Sequence, residues 1–172
     1  MPILCYVDGP QFHDSNIASI FLAGPSPRNE NQQSWRPQAI KALQKAYFNG
    51  VIYIPEMTNK ASFDYNNQVE WEYTNLCNCT TIMFWVARKM PSFLGLTTNI
   101  EFGYWLAQGR HKVIYGRPDD ADNIQYLDWI YKKQINDKPI YNDLDTLAKA
   151  TVAKTLNQFQ SRPKPLDLSN LL

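Results

Sequence analysis

Two histidines and three cysteines are all that this chain of 172 residues offers as soft metal ligands. His13 and His111 stand in no ligand spacing. Cys77 and Cys79, two apart in an expected helix, have no second cluster to complete a zinc site. Neither a metal centre nor a histidine-based nucleophilic triad is expected. Three thiols cannot all pair within one chain, so Cys5, Cys77 and Cys79 are expected to be reduced, in a cytoplasmic protein. An excess of either charge is also missing: 17 Lys and Arg face 16 Asp and Glu, a net +1 with no run of like charge. That balance leaves no footprint for a nucleic acid polymer or an acidic membrane surface. No apolar stretch nears the roughly 18 residues of a membrane-spanning helix. Met1 to Asp8 lack the basic-then-apolar order of a signal peptide, so none is expected. The glycine patterns that cradle nucleotide phosphates, G-x-G-x-x-G and the Walker lysine loop, are absent too. No cofactor is expected.

What is present is a high aromatic load, 13% of the chain, suited to a core, an oligomer interface or a pocket that stacks planar rings. The length fits one domain over residues 1–172, with a core of about 18–160 and an extended tail over 161–172 that could dock on a neighbour. Residues 1–16 read as a leader strand or extended segment. Apolar runs at Ser19–Ala23, Val51–Ile54, Thr81–Val86 and Lys112–Tyr115 read as buried strands, with a short fifth near Pro139–Tyr141. Helices are expected from Ser34 to about Phe48 (Ile40, Leu43 and Tyr47 on one face, Gly50 past the end) and over Asn66–Asn78. Others are expected around Glu101 as far as Gln108, over Ala121–Lys132 and over Leu144–Gln158. This alternation predicts an α/β fold: a single-domain, doubly wound parallel sheet of about five strands with helices on both faces.

Ligands in such sheets bind outside the carboxyl ends of the strands, where helices begin. Glu101 stands there, within Gly95-Leu-Thr-Thr-Asn-Ile-Glu-Phe-Gly103. Thr98-Asn-Ile-Glu101 has the spacing of a capping box, so Glu101 is either a helix cap or a group that touches substrate. Gly103 costs a helix interior roughly 1 kcal/mol against Ala, which suggests a close approach to the backbone there. In the preceding helix Val69, Tyr73 and Leu76 share a face, and Glu72 lies at its edge. Glu72 is therefore either ion-paired or an acid of raised pKa. Glu70 reads as a solvated charge, and Asp64 as a cap for that helix or a reserve acid. In the loop Gly24-Pro-Ser-Pro-Arg28 the prolines remove N–H donors, leaving Ser26 and Arg28 to hold a hydroxyl or phosphate by side chain. Arg88 and Arg117 are further candidates for a phosphate. A nucleophilic and a proton-donating carboxylate together are the arrangement that cleaves glycosidic bonds with retention.

Several short stretches occur in a telling order: Ile20-Phe-Leu-Ala-Gly-Pro-Ser-Pro-Arg28, Ser34-Trp-Arg-Pro37, Ile54-Pro-Glu56, Gln68-Val-Glu-Trp-Glu72, Phe84-Trp-Val86, Thr97-Thr-Asn-Ile-Glu-Phe-Gly103, Gly116-Arg-Pro-Asp-Asp-Ala-Asp122 and Tyr126-Leu-Asp-Trp129. Together they resemble the nucleoside 2-deoxyribosyltransferase-like family across about residues 18–130. The resemblance implies a Rossmann- or flavodoxin-like sheet, assembled as homodimers or higher homo-oligomers. It also implies exchange of the base of a 2'-deoxynucleoside through a covalent deoxyribosyl–enzyme intermediate. The family's E-x-G nucleophile maps onto Glu101 and its acid onto Glu72. The resemblance also implies that Gly24, Pro25 and Ser26 line the sugar site; Phe21, Arg28, Gln68 and Trp71 are expected to join it, with Trp71 or Trp85 flanking the base. Phe21 stands where relatives often carry a Tyr, and Gly95 where they often carry an Asp that holds the sugar hydroxyl. Sugar recognition would then fall to Asn99 or Tyr104. Exchange, hydrolysis of a nucleoside or nucleotide, and non-catalytic nucleotide binding are the readings these departures leave.

Overall fold

A computed structural model describes residues 1–27, 32–59, 64–136 and 138–162. The short apolar runs form one sheet of parallel strands: β1 (Ile3–Tyr6), β2 (Ser19–Ala23), β3 (Val51–Ile54), β4 (Thr81–Trp85) and β5 (Val113–Gly116). Their order is β1-β3-β2-β4-β5. The helices are α1 (Arg36–Lys45), α2 (Tyr65–Asn78), α3 (Leu96–Gly109), α4 (Gln125–Gln134) and α5 (Leu144–Gln160). β2 through β5 are buried along their whole length, as a parallel sheet covered on both faces requires. Successive side chains go to opposite layers. Phe21, Tyr53, Phe84 and Tyr115 pack with Trp71 of α2, Phe102 of α3 and Tyr131 of α4. Ile20, Leu22, Ile52 and Met83 pack with Leu43 of α1 and Leu147 of α5. After β2 the chain winds to β3 on one side, then crosses to β4 on the other, so the order reverses between β2 and β4. That switch opens the crevice used below. No helix among the described residues is long and apolar enough to cross a membrane.

Several elements differ from the sequence reading. Tyr47 is not on the buried face of α1. The helix ends at Lys45, and Tyr47 takes φ 62° and is 92% exposed. Phe48 N–H reaches back to Leu43 O, and Tyr47 N–H to Gln44 O. This is a Schellman termination with a tyrosine where glycine is usual, and it drops Phe48 into the core. In α2 the inward positions are Trp71, Asn75 and Leu76, while Val69 and Tyr73 are about half exposed. Packing of the Trp71 indole against Phe21 and Tyr53, at centroid distances of 6.0 and 6.2 Å, sets that rotation. The leader supplies β1, an edge strand paired with β3. The segment near Tyr141 contributes only a single bridge to Gly116, and α4 starts at Gln125 rather than Ala121. The tail beyond 162 lies outside the described residues.

Candidate active site

A cavity of about 210 Å³ opens between the carboxyl end of β2, the first turns of α2 and the start of α3. Its position follows from two glycines. Gly24, just past β2, has φ +149°, and a Cβ there would stand 2.2 Å from Trp85 O. Gly95, the N-cap of α3, is left-handed at φ 59°, and its Cβ would stand 2.7 Å from Pro25 Cγ. Glycine at 24 lets the end of β2 lie close against the end of β4, and glycine at 95 lets the start of α3 seat against the β2–α1 loop.

This start moves α3 three residues earlier than a capping box would have it. Gly95, not Thr98, is the N-cap, and no side chain caps the helix. Glu101 is therefore past the first turn, where it cannot reach a free N–H of the terminus. Its carboxyl lines the cavity instead. Gly103, read as a point of close approach, has open space around it: a Cβ there would meet nothing within 4 Å.

Glu72 reaches the same cavity from α2, accepting a hydrogen bond from Gln68 Nε2 at 2.7 Å. Burial raises its pKa, while the Gln68 bond and the nearby positive charge of Arg36 oppose the rise. Glu101 is pushed further, to about 7, by burial first and then by the charge of Glu72, with Arg36 again opposing. The charge of Glu72 thus adds to burial in favouring the protonated form of Glu101. Replacing Glu72 with Gln removes the like charge, so the Glu101 carboxyl should then ionise at lower pH. A ¹³C NMR titration of labelled glutamate side chains checks the direction.

A family model described as nucleoside 2-deoxyribosyltransferase like matches residues 17–119, well over half of the chain. The chain belongs to the nucleoside 2-deoxyribosyltransferase-like family. The match spans β2 through β5 and contains every residue that lines the cavity. No curated protein matches the chain significantly.

In this nucleoside 2-deoxyribosyltransferase-like chain, the sequence candidates that meet at the cavity are Glu101, Glu72, Phe21, Gly24, Pro25, Ser26 and Gln68. Others lie elsewhere. Asp64 is exposed and caps α2, accepting from Asn67 N–H at 3.1 Å. Trp71 lies in the aromatic layer with its Nε1–H buried and unpartnered among the described residues. Trp85 packs in the opposite layer. Asn99 Oδ1 accepts from Arg88 Nη2, and Tyr104 is 44% exposed against Trp105. Neither lines the cavity, because α3 turns both away from it. Arg88 is buried and also donates to Leu94 O and Asn123 O, while Arg117 pairs with Asp128 at 2.9 Å. Those two arginines are therefore structural rather than substrate-facing. Arg28 lies outside the described residues. The residue that sequence reasoning missed is Arg36, which lines the cavity while only 1% exposed. Its signal was a cation at the first residue of a helix, the end where the dipole disfavours one.

Proposed function

We propose that the chain cleaves or exchanges the N-glycosidic bond of a (deoxy)nucleoside through a covalent glycosyl–Glu101 intermediate. One observation carries the reading: Glu72 and Glu101 line one small cavity, and the charge of the first raises the pKa of the second. Family membership supplies the substrate class. The reactive form has Glu101 ionised and Glu72 protonated. A Glu101 oxygen attacks C1', the C1'–N bond breaks, and its electrons leave with the base, which takes the Glu72 proton. In the second half, a nitrogen of another base attacks C1', the ester to Glu101 breaks, and Glu72 takes the incoming base's proton. Water in place of that base makes the enzyme an N-glycosidase. Gln68, bonded to Glu72, holds its carboxyl in place for both transfers.

The cavity mouth supports a homo-oligomer. Tyr65, Val69 and Leu96 line the cavity yet remain exposed, and Tyr73, Ile100 and Tyr104 extend the apolar surface over α2 and α3. Apolar surface at one place of this kind is what association covers. The free thiols suit a cytoplasmic setting.

The test incubates the protein with a single deoxynucleoside, with and without an acceptor base, and follows products together with the intact mass of the quenched protein. The expected result is a gain of one deoxyribosyl group on the peptide carrying Glu101, with a new nucleoside when acceptor is present. Free deoxyribose without acceptor identifies the hydrolase. Binding without an adduct or any product leaves the nucleotide-binding module and overturns the enzymatic reading.

A further inference from the structure

We infer that Arg36 is the positioning residue of this site: its guanidinium sets the course of the β2–α1 loop and supplies the countercharge for the Glu72–Glu101 pair. The inference rests on reading those two acids as the reacting pair. Arg36 breaks two local rules at once. It is the first residue of α1, where a cation faces the positive end of the helix dipole, and it is 1% exposed, where a charge is costly. Such violations persist where function needs them.

What holds the side chain there is the loop itself. Nε donates to Leu22 O at 3.1 Å and Nη2 to Gly24 O at 2.9 Å. Nη1 donates to Ser26 Oγ at 3.0 Å and to Glu56 Oε1 at 2.7 Å, with a longer contact to Pro25 O at 3.4 Å. A single planar fork thus gathers the backbone of β2's last residues and the cavity wall that follows. Trp35 fixes the fork from the side, donating Nε1–H to Pro25 O at 3.0 Å with its ring 4.9 Å from the guanidinium carbon. Ser34 closes the network: its hydroxyl donates to Glu56 at 2.7 Å and accepts from Arg36 N–H at 3.0 Å. The Ser34-Trp-Arg-Pro37 and Ile54-Pro-Glu56 motifs are therefore one device.

The same guanidinium acts on the acids. One cation faces three carboxyls, Glu56, Glu72 and Glu101, and Glu56 is already paired with it. What remains of its charge favours ionisation of Glu72 and Glu101 against burial. Among the described residues that line the cavity, Tyr65 is the only other titratable one. Loop geometry and acid ionisation thus depend on one side chain.

The experiment compares Arg36→Lys and Arg36→Gln with the parent protein, reading kcat and KM across pH and the Glu carboxyl titrations by ¹³C NMR. Arg36→Gln should make both acids ionise at higher pH and move the acid limb of kcat/KM upward. Arg36→Lys keeps the charge but not the planar fork. It should leave the titrations near those of the parent while kcat/KM falls on the order of 10–10²-fold through misplacement of the loop. A folded Arg36→Gln protein with parental titrations, or a folded Arg36→Lys protein with parental kcat/KM, overturns the inference. Should both fail to fold, Glu56→Gln decides: with less of Arg36's charge neutralised, the acids should ionise at lower pH, and an unchanged or higher value overturns the inference. Because the titrations need no turnover, they stand even if the enzymatic reading fails.

Discussion

Glu101→Gln should lose turnover by at least about 10³-fold, the scale on which removing a covalent nucleophile acts, while making the protein more stable above neutral pH. The two effects share one cause. The Glu101 carboxyl binds its proton up to about pH 7 in the folded chain, against an ordinary value of 4.5. Folding therefore favours the protonated form. That contribution is full below about 4.5 and is lost as the pH rises through 7, where the native state must hold an ionised carboxylate beside Glu72. Glutamine is neutral and of the same shape, so it escapes this loss. At pH 8 the variant should exceed the parent by up to about 3 kcal/mol, and at pH 4 by almost nothing. Denaturant titrations at the two pH values measure the difference. A variant no more stable at pH 8 than the parent would mean that Glu101 is solvated and ionises freely. A gain of stability with a loss of activity is the pattern of a site whose geometry suits chemistry better than folding.

Gly24→Ala is the second large effect, and it runs the other way. The φ of +149° is one that an L side chain rarely adopts, and the added methyl would meet Trp85 O at 2.2 Å. Neither partner can yield cheaply, since the Ala23–Phe84 pairing of β2 with β4 lies immediately beside the contact. Overpacking and backbone strain together should cost roughly 2–4 kcal/mol and open the loop that Arg36 gathers, so activity falls with stability. Gly103→Ala is the matched control. It sits inside α3 with open space around it, and in an isolated chain it should gain up to about 1 kcal/mol. Thermal melts of the two variants side by side separate a glycine that the backbone requires from one it does not. Equal melting temperatures for Gly24→Ala and the parent would show that the β2–β4 contact is looser than described.

How far the sequence carried depends on which forces were local. The strands were readable because a run such as Ser19–Ala23 or Thr81–Trp85 is apolar throughout, which a sheet covered on both faces demands. The acids were readable as candidates because they lie where helices follow strands. The capping role of Glu101 was a wrong alternative, since a left-handed glycine three residues earlier had already started the helix. Val69 and Tyr73 misled because helical spacing marks a face without saying which of two faces a large indole will claim, and Trp71 decided it. Asn99 and Tyr104 were assigned to the sugar by elimination, but α3 turns them outward. Arg36 was invisible for a different reason. Its partners Leu22, Gly24, Ser26 and Glu56 are brought together only by the β2–α1–β3 crossover, and no periodicity records that.

The all-parallel strand order has a kinetic consequence. None of the ladders is a hairpin: Ile3 pairs with Val51, Phe21 with Ile82, and even the nearest partners, such as Ile82 and Val113, are separated by a whole crossover. Chains dominated by distant pairings fold slowly, because loop closure must precede the contacts that reward it. The walls of the cavity come from the segments after β2, before β4 and after β4, so the cavity exists only once β2 and β4 have paired across their crossover. A nucleoside that binds this crevice then recognises the paired β2 and β4 and not the unfolded chain. At a hundredfold excess over its Kd it should hold that state by about 2.7 kcal/mol, opposing the opening of a sheet that is slow to form.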